Sequence, residues 1–256
     1  MGSDHFIHST PDSMRVGLFV TCLVDLMRPS VGFAAIKLLE SAGCEVIVPA
    51  TQTCCGQPGY NSGDSGTARD LALKFMGEFA GCDYIVAPSG SCAGMIRIHY
   101  PELFKTQPGI LALLEPMLAR TYELTDFLVN VLKLQTVPGR FSGNVTYHDS
   151  CAGLRELGIK AQPRELLNRV PGLAIQEMPD ATKCCGFGGT FSIKLGEIST
   201  RMAEVKCENI DVSGADTLVG GDLGCLLNIE GRLRRRGDVK TRVYHVAEVL
   251  AGMTEG

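Results

Sequence analysis

Two periods of apolar residues alternate along this chain. Short apolar runs of strand character (VGLFVT, EVIVPA and DYIVAPS, then NVTYHD, AIQEMP and DTLVGG) are separated by longer stretches. In those stretches apolar residues return every three or four positions, as in VGFAAIKLLESAG and ARDLALKFMGEFAG. Strand followed by helix, repeatedly, predicts parallel sheets joined by crossover helices. Each half closes on a similar phrase of helical period, YELTDFLVNVL and VYHVAEVLAG, and the Pro/Gly-rich VPGRFSGN lies between the halves. The expected fold class is therefore α/β: two tandem pseudo-symmetric domains, residues 14–136 and 140–256, each a small, mainly parallel sheet with flanking helices. Residues 1–13, polar and without period, read as a flexible arm or expression remnant.

The cysteines follow the same duplication. Cys22 ends VGLFVTC and Cys151 ends NVTYHDSC; Cys54-Cys55-Gly56 recurs as Cys184-Cys185-Gly186; Cys92 ends DYIVAPSGSC and Cys225 ends ADTLVGGDLGC. The offset between members of each pair is nearly constant, which marks an internal repeat. Open parallel sheets gather functional groups at the carboxyl ends of their strands. Cys22, Cys92, Cys151 and Cys225 all follow strand candidates.

Composition narrows the classes. Apolar residues make up 45% and charged residues 20%, the balance of a folded globular protein. No apolar run approaches the ~20 residues needed to span a bilayer, so no transmembrane segment is expected. A net charge of -4 with scattered Lys and Arg gives no basic field for nucleic acid. Cysteine is in excess, 11 residues, an odd number that disulfides alone do not explain. The N-terminal MGSDHFIHSTPDS lacks the charged and apolar regions of an export signal, so a reducing, cytoplasmic setting is expected, where thiols serve metal or redox chemistry.

Four cysteines per half is the ligand count of a metal centre, either a zinc ion or an iron-sulfur cluster. Adjacent side chains in extended backbone point apart, so a CC pair converges poorly on one tetrahedral ion, whereas a cluster spreads its ligand positions over several irons. Zinc knuckles place their cysteines two to four residues apart, and no CxxC occurs here. Gly56 and Gly186 would supply a permissive φ and let backbone approach the cluster. A zinc-stabilised binding module stays as an alternative. So does a cysteine hydrolase, in which GSCAG forms an elbow presenting Cys92, with His99 or His148 as base. A vicinal disulfide in each pair would leave the other four cysteines unexplained. Cys44, Cys82 and Cys207, which have no counterpart in the other half, read as buried hydrophobes. His148, three residues before Cys151, is a candidate to hydrogen-bond a cluster sulfur, relay a proton or bind a carboxylate, against a plain strand-end role. The Arg232, Arg234, Arg235, Arg236 cluster reads as a solvated helix end or a dock for an acidic partner.

The phrases FVTCLVDLMRPSVG, QTCCGQPGYNSGD, APSGSC, CCGFGGTFSIK and GCLLNIEGRL followed by HVAEVL resemble the cysteine-rich "CCG" family of iron-sulfur proteins, over about 240 residues in both halves. That family includes the CCG-bearing component of heterodisulfide reductase and the iron-sulfur component of glycolate oxidase, and the phrases are most similar to its lactate-utilization branch. The resemblance implies a cytoplasmic electron-transfer subunit for bacterial oxidation of L-lactate to pyruvate, acting with two other lactate utilization subunits, one iron-sulfur and one without a cluster. It also implies one cluster on Cys22, Cys54, Cys55 and Cys92 and another on Cys151, Cys184, Cys185 and Cys225. The full family motif ends in CxxC, but here its first position is Ser89 in one half and Asp222 in the other. Four ligands instead of five favour two simple [4Fe-4S] clusters, expected to face each other near the domain interface.

Overall fold

The computed structural model describes residues 13–254. All but the last residue of the expected N-terminal arm lies outside them. In the first half, β1 (Arg15–Leu18), β2 (Glu45–Ile47), β3 (Tyr84–Ala87) and β4 (Thr121–Glu123) alternate with helices. These are α1 (Cys22–Met27), α2 (Ser30–Ser41), α3 (Gln57–Ser62), α4 (Ser65–Phe79), α5 (Gly90–Gly94), α6 (Tyr100–Leu103), α7 (Pro108–Ala119) and α8 (Leu124–Asp126). The second half repeats the plan with β5 (Gly143–His148), β6 (Leu173–Ile175), β7 (Thr217–Gly220) and β8 (Arg242–His245). Its helices are α9 (Cys151–Leu157), α10 (Ala161–Leu167), α11 (Thr190–Lys194), α12 (Gly196–Ser213), α13 (Leu223–Arg235) and α14 (Val246–Ala251).

Both sheets are parallel throughout and have the same order, β2-β1-β3-β4 and β6-β5-β7-β8. The central strands are apolar on both faces because helices cover both. Val16 and Leu18 of β1 and Leu218 and Val219 of β7 are fully buried. One correction concerns the closing phrases, where the apolar spacing predicts helix throughout. Each opens with a fourth strand, β4 or β8, before its helix begins. Strands of three or four residues are too short to display a period of two; pairing to β3 and β7 creates them.

The halves share one apolar core. Val16, Leu18 and Leu38 belong to the same buried cluster as Val145, Leu218 and Leu250, while a second cluster around Phe19, Phe75, Phe79 and Tyr100 lies within the first half. At the interface α2 packs on α14. Arg28 there bonds Glu230 at 2.7 Å and the Val243 carbonyl at 3.1 Å, and Ser30 donates to Glu248 at 2.6 Å. On the other side α5 packs on α9. They approach so closely that a Cβ at Gly90 would lie 2.8 Å from the Gly153 Cα. This places the carboxyl ends of the central strands of both sheets beside one another.

Candidate metal centre

In the first half, β1 runs into Thr21, a β-branched residue held at φ 76° and buried, and Cys22 opens α1. Such a conformation is strained for threonine and sharply redirects the chain ahead of the cysteine. The loop after β2 is tied back to β1 by Gln52, whose side chain accepts from the Val20 N–H at 2.8 Å and donates to the Leu18 carbonyl at 3.2 Å. It ends in Cys54, Cys55 and Gly56. Gly56 is left-handed (φ 83°), a conformation that favours glycine, and a Cβ there would sit a tight 3.3 Å from the Ala68 Cα. After β3, Ser89 caps α5 and places Cys92 in its first turn. Cys22 Sγ lies within hydrogen-bonding reach of Cys54, and Cys54 of Cys55; Cys55 Sγ is 3.4 Å from Cys92 Sγ. Tyr100 fixes the Cys55 carbonyl at 3.0 Å.

The second half builds the same constellation. Cys151 opens α9 behind the capping Ser150, Cys184 and Cys185 precede Gly186 (φ 88°), and Cys225 lies in the first turn of α13. Sulfur meets sulfur from Cys151 to Cys184, Cys185 and Cys225. Asn228 holds the Cys185 carbonyl at 3.0 Å, as Tyr100 does for Cys55. The structure thus brings together all eight repeated cysteines as two sets of four. Helix N-termini carry the first and last member of each set.

Electrostatics within each set are those of a site waiting for positive charge. Cys54 and Cys184 are held far below the ordinary thiol range. Each accepts S–H bonds from its neighbours, and the following glycine N–H reaches it at 3.4 Å and 3.3 Å respectively. Cys22, Cys55, Cys151 and Cys185 are pushed well up because each donates to that thiolate and burial adds to the effect. A cation bound among these sulfurs would release the protons that the raised thiols keep.

The two sites adjoin. Cavities of about 130 Å³ and 190 Å³, one beside each sulfur set, share Gln57, Asn61, Ser91, Phe187, Gly189 and Asp222 as a common wall. Across that wall the two positions that depart from the family motif meet each other. Ser89 Oγ donates to Asp222 Oδ2 at 3.2 Å, and the Ser91 N–H donates to the same oxygen at 2.9 Å.

The sets differ in what stands behind them. Phe19, at the end of β1, corresponds to His148 at the end of β5. Buried positions of α4, Ala68, Ala72, Phe75 and Phe79, match Ser199, Ala203, Lys206 and Ile210 of α12 in the same spacing. Phe19 and Phe75 pack edge to face, 5.8 Å between ring centroids; their counterparts are a histidine and a lysine. His148 is 1% exposed, neither ring nitrogen has a hydrogen-bond partner, and a ring nitrogen lies within 4.8 Å of the Cys185 and Cys225 sulfurs. Burial, with Lys206 nearby, pushes its pKa down to about 3. Sequence reasoning missed Lys206, although a charged residue in the apolar register of a helix was the available signal.

Other candidates resolve into structural roles. Cys92 is no strained elbow: outside glycine, positive φ among the described residues occurs at Thr21, Lys133 and Asp180. His99 packs on the Tyr60 ring and faces Glu156 at 3.5 Å. Cys44, Cys82 and Cys207 are buried, and burial raises each thiol. Arg232, Arg234 and Arg236 of the basic cluster are ion-paired to Glu204, Glu230 and Asp211.

The cysteine-rich domain family, CCG, matches residues 16–97 and 145–230, the stretches that carry the two sulfur sets. The chain is 50% identical over 237 residues to lactate utilization protein A of Geobacillus kaustophilus (strain HTA426), covering 93% of this chain and 98% of that relative. It is 46% identical over 237 residues to lactate utilization protein A of Bacillus subtilis (strain 168), covering 93% and 99%. Among solved structures, a hypothetical protein from Helicobacter pylori matches with a TM-score of 0.66 at 16% identity, over 96% of this chain and 50% of that one, a likeness of fold. Through both of its halves, the chain belongs to the CCG cysteine-rich domain family.

Proposed function

We propose that this chain is an iron-sulfur electron-transfer subunit of a bacterial L-lactate oxidation system. It takes electrons released as lactate becomes pyruvate and works with two other lactate utilization subunits in the cytoplasm. The observation that carries this reading is the pair of equivalent four-sulfur sets in adjoining cavities, in a chain that is half identical to proteins named for lactate utilization. Among the described residues no helix is long and apolar enough to cross a membrane.

The residues present fit such a group. Cys22, Cys54, Cys55 and Cys92 would hold one [4Fe-4S] cluster and Cys151, Cys184, Cys185 and Cys225 the other. Ser89 and Asp222 are engaged with each other, which suits four ligands per site. A [4Fe-4S] cluster supplies one-electron storage, so two of them match the two electrons lactate gives up. The chain's own contribution is a buried sulfur cage: Cys55, Cys92, Cys185 and Cys225 are at most 9% exposed, and Gly56 and Gly186 donate N–H groups to sulfur. The His148, Cys185 and Cys225 triad favours a second reading, zinc in the second half.

The test is functional reconstitution. Protein purified without oxygen is mixed with the two partner subunits and L-lactate, and visible absorption is followed. Bleaching that requires all three proteins and lactate is expected. A colourless protein containing stoichiometric zinc, or a coloured one that lactate never bleaches, would refute the proposal.

A further inference from the structure

We infer that Lys206, assisted by His148, makes the second site the one of higher reduction potential, so that the two sites are an ordered pair. This rests on the iron-sulfur reading above. Lys206 is 1% exposed, and its ammonium donates to the Asp180 and Ala181 carbonyls at 2.7 Å and 3.3 Å. No carboxylate among the described residues lies within salt-bridge distance of it. The two acids closest in influence are taken by other cations, Asp149 by Arg164 at 2.8 Å and Asp180 by Lys183 at 2.7 Å. A buried charge without a counter-ion is costly. Burial pulls the pKa of Lys206 down, and Cys185, ahead of those acids, and Cys151 pull it up. Its natural partner is therefore negative charge held on the second sulfur set.

At the matching positions the first site has Phe75 and Phe19, backed by Phe79 and Tyr100. The strongest influences on Cys22, Cys54 and Cys55 are the neighbouring cysteines, burial and backbone N–H groups. Asp222 lines both cavities, and its charge acts on Cys225 of the second set. Reduction adds one negative charge to a cluster. A fixed cation in a low-dielectric wall stabilises that added charge, and the His148 ring, within 4.8 Å of the Cys185 and Cys225 sulfurs, is polar where the first site has Phe19; an aromatic wall does not stabilise it. With a cluster bound at each site, an electron given up by the first would be taken up by the second, with no bond made and no proton moved. Lys206 is a positioning residue of this transfer: it sets the direction and touches no substrate.

Single-site proteins make the test. Cys54→Ser is used to leave the second site and Cys184→Ser to leave the first; each is reconstituted with iron and sulfide and titrated potentiometrically by EPR. The second site is expected to reduce at the higher potential. Adding Lys206→Met to the Cys54→Ser protein is expected to weaken reduction at least tenfold, 59 mV for one electron. The same change in protein that keeps both sites leaves the first site where it was. Equal or inverted potentials in the single-site proteins, which need no change at Lys206, would overturn the inference, as would a Lys206→Met protein whose two sites both keep their potentials. Iron uptake without this ordering defeats the inference alone; no iron uptake defeats the functional reading with it.

Discussion

Glu123 sits where burial and charge conflict. Its carboxylate ends β4, is 2% exposed, and accepts from the Thr125 N–H and hydroxyl at 2.8 Å and 2.6 Å. Burial still raises its pKa to about 7. The folded carboxyl is thus harder to ionise than the unfolded one. Its effect on stability is absent below the unfolded value and grows unfavourable as pH rises through the window from about 4.5 to about 7, by roughly 3 kcal/mol. Glu123→Gln keeps an acceptor for Thr125 and is expected to flatten urea-unfolding stability across that window; an unchanged slope would clear Glu123 of the effect. Gly186 gives a second test. A Cβ there would lie 2.7 Å from the Ser199 carbonyl at φ 88°, while Gly43 at φ 86° has open space. Gly186→Ala is expected to cost about 3 kcal/mol and Gly43→Ala about 1 kcal/mol, both read as shifts in urea midpoint. Gly186 was legible in the sequence because it recurs after a cysteine pair. Lys206 was passed over because a lone charge in a helical stretch is usually solvated, and its place in the apolar register with Ala203 and Ile210 was the one sign that α12 turns it inward.

Among the elements, α5 depends on both halves. Its own Ser89 accepts from the Cys92 N–H at 3.3 Å, and Asp222, from the start of α13, accepts from the Ser91 N–H. Asp222 makes no such bond within its own helix. A carboxylate at a helix N-terminus stabilises it through the orphan N–H groups and the helix dipole. Asp222→Ala is expected to lower stability by about 1 kcal/mol and to loosen hydrogen-exchange protection at Ser91 and Cys92; unaltered protection there would show that the cross-half cap contributes nothing. The parallel sheets and most helices were legible from alternating periods, since central strands and long helices carry enough residues to show one. Strands β4 and β8 were not. Their pairing comes from β3 and β7, and a three-residue edge has no period of its own.

Over the whole molecule, duplication yields two copies of one plan with different surroundings. The sulfur sets and sheet order are retained, while the walls have diverged to aromatic in one half and cationic in the other. Two tandem domains were expected from the repeat, and the shared core around Val16, Leu38, Val145 and Leu250 ties their stability together. A single urea transition, coincident by fluorescence and circular dichroism, is expected; two separated transitions would show the halves to be independent. Cysteines at strand ends pointed to one set in each half, and the structure sets their cavities side by side. The Ser89–Asp222 bridge between them was not, because it joins residues from different halves that only the pseudo-symmetric packing brings together. The most direct test of the central claim is the iron and acid-labile sulfide content per chain of protein purified and reconstituted without oxygen, for the wild type and for Cys54→Ser and Cys184→Ser. Two [4Fe-4S] sites predict about eight irons with matching sulfide in the wild type and about half of each in either variant. Iron that stays unchanged in both variants, or none even after reconstitution, would contradict the account.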